Sequence, residues 1–154
     1  MRVFAILSAL AVFALANPAP LGFEIDKATI DDIKMKYPIK DSTKRSYMGG
    51  TEISIDSKNV ELEGLMYDVN FWFDEKDKLV SVSFMFNKSK YDELLQSLSK
   101  KYKFVEKITG NNGAIVNTIF EDDNCIIRLN VNFNNQISGA VHLYYKSKDE
   151  IGKA

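Results

Sequence analysis

The chain has 154 residues and a formal net charge of −1, from 20 Lys and Arg against 21 Asp and Glu. This balance gives no electrostatic reason to expect nucleic acid or an anionic membrane as a partner. One cysteine and one histidine exclude an intramolecular disulfide and a histidine-rich metal site. We therefore expect one domain of ordinary size that is stabilised by packing, without a metal or cofactor.

The first sixteen residues have the layout of a secretory signal peptide. Arg2 gives a basic start, residues 3–15 are nearly all apolar, and Ala14-Leu15-Ala16 offers a small-x-small cleavage site. The apolar run is shorter than the roughly twenty residues that a membrane-spanning helix needs. We expect cleavage after Ala16, a mature domain over residues 17–154 without a membrane anchor, and a periplasmic or secreted location.

Cysteine usage bears on the compartment and the source. No cysteine comes directly after the predicted cleavage site at Ala16, so the lipid attachment of bacterial lipoproteins is not expected, and a soluble exported bacterial protein fits best. A secreted fungal protein is the alternative, in which Asn87-Lys88-Ser89 would be a glycosylation acceptor. Cys125 begins an alternating apolar stretch, which favours a core residue over a reactive thiol.

A short capped helix opens the first half. Thr29 can accept from the first free backbone N–H groups, Asp32 can reciprocate, and Pro38 ends the helix. The polar residues 39–50 predict a loop with a turn or bulge at its end. Residues 51–55 then alternate between polar and apolar side chains, which predicts a short half-buried strand.

A hairpin is the clearest element of the first half. Apolar and polar residues alternate over 67–74 and again over 80–86, which indicates an antiparallel pair with one buried face. Pairing Phe73 with Val80 and Phe71 with Val82 places the large residues on that face. Three large residues then point the opposite way: Trp72, Leu79 and Met85.

The second half repeats this order. Ser89 and Asp92 repeat the capping pattern, and apolar residues at helical spacing predict a helix that reaches Tyr102. Strands over 114–121, 125–133 and 139–145 follow. The chain therefore predicts an α+β fold of two tandem αβββ units, about 24–87 and 88–146. Their strands would form one antiparallel sheet with both helices packed on one face.

This element order resembles the fold of the secreted beta-lactamase inhibitor proteins. The segment Leu21-Gly22-Phe23-Glu24-Ile25, with the capped helix behind it, is similar to the start of SmpA/OmlA (BamE)-like envelope proteins. Phe73-Asp-Glu-Lys-Asp-Lys-Leu79 is similar to their Phe-Asp-x-x-Gly-x-Leu turn, with Asp77 in place of glycine. The resemblance implies a non-catalytic envelope or secreted protein that binds other proteins with a sheet face.

Residues that could support catalysis are scarce. Cys125 and His142 could in principle form a nucleophile–base pair, but the alternation places Cys125 on the core side of its strand and His142 on the other side. No phosphate-cradling glycine loop and no G-x-S-x-G motif occurs. The carboxylates over 74–77 and 121–123 lack the spacing of a calcium loop and fit solvated turns better. We therefore do not expect an enzyme or a metal protein.

The outward face of the sheet carries the candidate site. Pairing Thr118 with Ile127 and Val131 with Val141 aligns polar and aromatic residues in cross-strand rows. An arginine beside a tyrosine and amides suits a carboxylate or peptide, and an outward tryptophan suits an interface. The candidate partner-binding residues are Trp72, Met85, Asn117, Arg128, Asn130, His142 and Tyr144. The alternatives are an ordinary solvated sheet face and, for the tryptophan, cover by the N-terminal segment or a loop.

Two functions follow from these features. The first is an exported, non-enzymatic protein that binds a protein or peptide partner through the outward sheet face. The second is a binding protein for a small apolar molecule, held in a cavity between the helices and the sheet. That cavity would be lined by Phe71, Phe84, Tyr91 and Leu95.

Overall fold

The computed structural model describes residues 17–134 and 140–152. The predicted signal peptide and its cleavage site after Ala16 lie outside these residues. The fold is α+β, with one antiparallel sheet of eight strands and two helices. Within the described ranges, no helix is long and apolar enough to cross a membrane.

The elements form two successive groups, each of one helix followed by four strands. The first group is α1 (Ile30–Lys36), β1 (Asp41–Thr43), β2 (Glu52–Ile55), β3 (Val69–Phe73) and β4 (Leu79–Asn87). The second is α2 (Tyr91–Lys101), β5 (Lys103–Gly110), β6 (Ile115–Glu121), β7 (Cys125–Asn132) and β8 (Ala140–Ser147). Short 3-10 turns lie at Pro20–Gly22, Ser57–Asn59, Lys88–Lys90 and Lys148–Glu150.

The strand order in the sheet is β1-β2-β3-β4-β8-β7-β6-β5, so each group is a meander and the last strands of the two groups pair at the centre. Four strands therefore follow each helix, instead of the three predicted. The unpredicted strands, β1 and β5, are the two edges of the sheet and are exposed along their whole length. Since neither face of an edge strand need be buried, these segments lack the alternation that marks a half-buried strand.

The helix starts differ in how they are capped. Thr29 and Asp32 form the predicted capping box: the Thr29 backbone N–H donates to Asp32 Oδ2 at 2.8 Å, and the Asp32 N–H donates to Thr29 Oγ1 at 3.4 Å. The predicted cap at Ser89 is wrong. The Asn87 side chain accepts the Ser89 N–H at 3.0 Å and caps the 3-10 turn that leads into α2.

The β3–β4 hairpin has the predicted register at its open end and a bulge near its turn. Phe71 pairs with Val82 as expected, whereas Phe73 pairs with Leu79 because the register shifts after Trp72. Leu79 is consequently buried in the core, and its predicted outward orientation is wrong. Its backbone N–H donates to Ala28 and its carbonyl accepts from Asp26, both at 2.8 Å. The bulge thus joins β4 to the segment that enters α1.

One apolar cluster covers the helix side of the sheet. It contains inward residues of β2, β3, β4, β6, β7 and β8, together with Ile33 of α1 and Tyr91 and Leu98 of α2. The residues predicted to line an apolar cavity are packed into or against this cluster. Cys125 is fully buried there, and its burial raises the thiol pKa to about 12, as expected for a core cysteine rather than a reactive one.

Candidate functional site

A recess of about 440 Å³ opens on the opposite face of the sheet, over the strands from β3 to β6. We call it the sheet-face recess. It is lined by Tyr47, Trp72, Ser83, Asn117, Arg128, Asn130, His142 and Tyr144. Six of the seven candidate residues are among these. The seventh, Met85, is half-buried and lies directly opposite His142 without lining the recess.

Strand pairing explains how the second half contributes to the recess. Arg128 lies opposite Tyr144, and Asn130 lies opposite His142, as predicted from the pairing of β7 with β8. The predicted pairing of β6 is wrong by two residues, because Thr118 pairs with Leu129 and Asn117 with Asn130. A shift of two keeps every side chain on its face, so Asn117 still enters the recess but beside a different partner.

Trp72 forms one end of the recess and is buried, with 9 % of its surface exposed. The ring of Tyr47 lies against it with centroids 5.9 Å apart, and the Tyr144 ring meets it edge-on at 6.5 Å. The loop between β1 and β2 therefore covers this tryptophan. Tyr47 and Ser83 line the recess but are not among the predicted candidate residues. The signal for Tyr47 was the pair of glycines that follows in its polar loop, and the signal for Ser83 was its outward position in the alternation of β4.

Gly50 allows that loop to approach the end of β3. A side-chain carbon at position 50 would clash with the backbone carbonyl oxygens of Phe73 and Asp74. The loop is also closed internally, since the Ser46 N–H donates to the Gly50 carbonyl at 2.7 Å and the Gly49 N–H to Ser46 at 2.9 Å. A glycine is thus required at position 50 for Tyr47 to reach Trp72.

His142 lies near the centre of the recess, and its Nε2 atom is hydrogen bonded to Ser83 Oγ at 2.6 Å. Burial lowers the pKa of His142 below its usual value of 6.5, so the ring is neutral at neutral pH. Cys125 is on the other face of the sheet, within the core. The two residues considered as a nucleophile–base pair are therefore not brought together.

Three polar groups of the recess lack an internal partner. Among the described residues, Trp72 Nε1 and Asn117 Oδ1 are buried and form no hydrogen bond. Arg128 is exposed, and no ion pair to it occurs within residues 17–134 and 140–152. No aspartate or glutamate lines the recess. The site therefore combines an exposed guanidinium with two buried polar atoms, an indole nitrogen and an amide oxygen, that have no partner among the described residues.

A second recess, of about 510 Å³, lies at the turn between β3 and β4. Its lining includes acidic residues and two lysines: Asp74, Glu75, Lys76, Lys78, Asp149 and Glu150. In the part of the chain that the structure describes, no three or more His, Cys, Asp or Glu side chains are grouped so that they could hold a metal ion.

No protein-family model, no curated protein and no solved structure matches the chain. The residues of the sheet-face recess are therefore the basis on which a function can be assigned.

Proposed function

We propose that this protein is exported and non-enzymatic, and that it binds a protein or peptide partner through the sheet-face recess. One observation carries the proposal. The recess brings together aromatic and polar side chains of both halves and leaves three of their polar groups without an internal partner.

Unpaired buried polar atoms favour a ligand with hydrogen-bonding groups. A buried donor or acceptor without a partner costs about 1–3 kcal/mol, and native structures contain few of them. The indole N–H of Trp72 needs an acceptor, and Asn117 Oδ1 needs a donor. Amide groups of a peptide backbone supply both kinds. A purely apolar molecule would supply neither, which favours the peptide over the apolar ligand.

The width of the recess favours an extended ligand. Trp72 on β3 and Asn117 on β6 are separated by four strand spacings, or about 19 Å, across the sheet, and their cross-strand rows are about 13 Å apart along the strands. The two positions are therefore about 23 Å apart, and an extended peptide, which advances about 3.3 Å per residue, would need roughly seven residues to reach from one to the other. A compact small molecule would contact one end of the recess only.

The composition of the two ends fits such a ligand. Tyr47, Trp72 and Tyr144 provide aromatic surface at one end, and the other end carries Arg128 with the two asparagines. Tyrosine, tryptophan and arginine are the residue types enriched where proteins bind one another. The aromatic end would hold an apolar side chain, and the polar end would hold backbone or charged groups.

Export and the tandem arrangement of the two units belong to the same proposal. The basic start, apolar run and small-x-small site of residues 1–16 support export, and the succession of one helix and one meander in each half supports two tandem units. We expect the mature protein to begin at Asn17 and to act outside the cytoplasm. Amino-terminal sequencing of protein recovered from the exported fraction tests this, and an intact Met1 in that fraction would contradict it.

Site-specific photo-crosslinking tests the binding face. In the test variant, a photoreactive phenylalanine analogue replaces Met85, at the margin of the recess. In the control variant, the same analogue replaces Met35, which lies on α1 and is 80 % exposed. Irradiation of the full chain in its native compartment should give a defined adduct from position 85 and not from position 35. Equal adducts at both positions, or none at position 85, would overturn the proposal.

A further inference from the structure

We infer that the polar end of the sheet-face recess recognises a carboxylate, held by Arg128 with the side-chain amides of Asn117 and Asn130 beside it. This inference rests on the proposed function and specifies the chemistry of its ligand.

Charge is the first support. Six lysines elsewhere in the described chain are paired with carboxylates at 2.7–3.9 Å, among them Lys40 with Asp68 and Lys103 with Glu121. Arg128 has no such partner within those same residues, although it lies on a central strand with neighbours on both sides. The guanidinium is permanently charged, so the recess presents an uncompensated positive charge.

The nearest acidic residue in the row of Arg128 does not neutralise it. Glu106 on β5 lies beyond Ile119 on β6, which makes it two strand spacings, or about 10 Å, from Arg128 along the sheet. No carboxylate lines the recess itself. An anion that enters the recess would therefore meet attraction without a competing internal carboxylate.

Shape is the second support. A guanidinium binds a carboxylate through two parallel N–H donors, a geometry that lysine cannot provide. Asn130 lies two residues along the same strand face and can donate from its side-chain amide to the same ligand. These donors are on β7, a strand paired on both sides, so their backbone positions are fixed before the ligand arrives.

The unpaired oxygen of Asn117 favours the end of a peptide chain as the source of the carboxylate. Asn117 lies opposite Asn130, and its Oδ1 atom is buried and needs a donor. A carboxylate alone has no donor. A chain-terminal residue carries a backbone N–H next to its carboxylate and can serve both groups, whereas an Asp or Glu side chain presents its carboxylate farther from a backbone N–H.

Tripeptide titrations test this directly, because Trp72 is the single tryptophan of the chain and lines the recess, so its fluorescence reports on ligands there. The probes are N-acetyl-Ala-Phe-Ala with a free carboxyl group, the same peptide as its C-terminal amide, and N-acetyl-Ala-Glu-Ala amide. We expect the free acid to bind at least tenfold more tightly than its amide. Equal binding by the Glu peptide would assign the carboxylate to a side chain. Equal binding by the two Phe peptides would overturn the inference.

Charge variants provide the second arm. Arg128→Gln should weaken binding of the free acid at least tenfold and leave the amide unaffected, and Arg128→Lys should give an intermediate loss. Lys34→Gln, which removes an exposed charge from α1, is the matched control and should change nothing. Because Arg128 is exposed, its variants should unfold at the same temperature as the unaltered protein.

The outcomes separate the two proposals. Two results would overturn the carboxylate inference. One is that the free-acid peptide binds Arg128→Gln as tightly as it binds the unaltered protein, and the other is that it gives no fluorescence change with the unaltered protein up to about 10 mM. If the crosslink at position 85 still forms, the recess remains a peptide-binding face that uses other chemistry. If no crosslink forms at position 85 either, the proposed function itself is wrong.

Discussion

The ring of Tyr47 lies against the indole of Trp72, with centroids 5.9 Å apart and planes inclined at 59°. The contact joins the loop between β1 and β2 to the outward face of β3. It buries a tryptophan that strand alternation places on a polar face, and it turns that face from a flat surface into a recess with an aromatic wall. Trp72 is therefore both part of the candidate site and a stabilising residue.

Removal of Tyr47 should expose Trp72. In Tyr47→Ala we expect tryptophan emission at longer wavelength, stronger quenching by acrylamide, and a loss of about 0.5–1.5 kcal/mol in the free energy of unfolding from the lost ring contact. Tyr67→Ala is the matched control, because Tyr67 is half-exposed and forms no ring contact with the residues that the structure describes. Emission that is unchanged in Tyr47→Ala would show that the loop does not cover Trp72.

Trp72→Ala should be strongly destabilising, although the residue lies on the outward face. Truncation of a buried tryptophan costs about 3–5 kcal/mol, whereas Met35→Ala, at an exposed position on α1, should stay within about 0.5 kcal/mol. Urea unfolding followed by circular dichroism measures both. A loss below about 1 kcal/mol for Trp72→Ala would mean that the indole is not packed as described. Binding tests should therefore use Arg128 variants and not Trp72 variants.

Gly50 should be intolerant of substitution for a backbone reason. In Gly50→Ala the new carbon would clash with the carbonyl oxygens of Phe73 and Asp74, and we expect a loss of about 1–3 kcal/mol with partial exposure of Trp72. Gly110→Ala is the control, because the added carbon would lie 4.0 Å from Ile115. Thermal unfolding and tryptophan emission of the two variants should differ. Similar behaviour would contradict the close approach at Gly50.

His142 should make stability depend on pH in one direction. Its pKa is lowered from 6.5 by burial in the folded protein, so the unfolded chain takes up the proton first as pH falls. The contribution of His142 to the free energy of unfolding is fully present above about pH 6.5, and it is lost as the pH falls below that value towards the pKa of His142 in the folded protein. Since His142 is the single histidine of the chain, His142→Gln should flatten this part of the stability profile. An unchanged slope between the two proteins would contradict the assignment.

Cys125 should resist alkylation in the folded protein. Burial raises its thiol pKa to about 12 and denies access to the reagent, so iodoacetamide at pH 8 should add no mass to the folded chain and one adduct after denaturation in urea. The rate of labelling in the native state then measures opening of the core. Rapid labelling without denaturant would place the thiol at the surface.

Local alternation predicted the parts of the sheet with one buried face. The pairs Phe71–Val82 and Val131–Val141 follow from where apolar residues fall along their strands, and they bring most of the candidate residues to one face. Alternation alone leaves the register of β6 open, because a shift of two residues preserves every face. The position of Asn117 opposite Asn130 instead of Arg128 is the result.

The remaining differences come from tertiary contacts that leave little trace in the sequence. The bulge that buries Leu79 depends on hydrogen bonds to the segment before α1, which is far from the hairpin in sequence. The cover over Trp72 depends on a polar loop that alternation does not describe. Strand β5 is exposed throughout, so it carries no burial signal even though it is eight residues long.

The pairing of β4 with β8 has a consequence for how the chain folds. Each four-strand meander is built from hairpins between neighbouring segments, but Ser83 and His142, which meet across the central pair, are 59 residues apart. Contacts between segments so distant in sequence form slowly, so the two meanders should assemble first and dock afterwards. Trp72 and Ser83 come from the first meander, and the residues from Asn117 to Tyr144 come from the second. The ligand site is therefore completed by the docking step, and ligand binding would report that folding has reached its end.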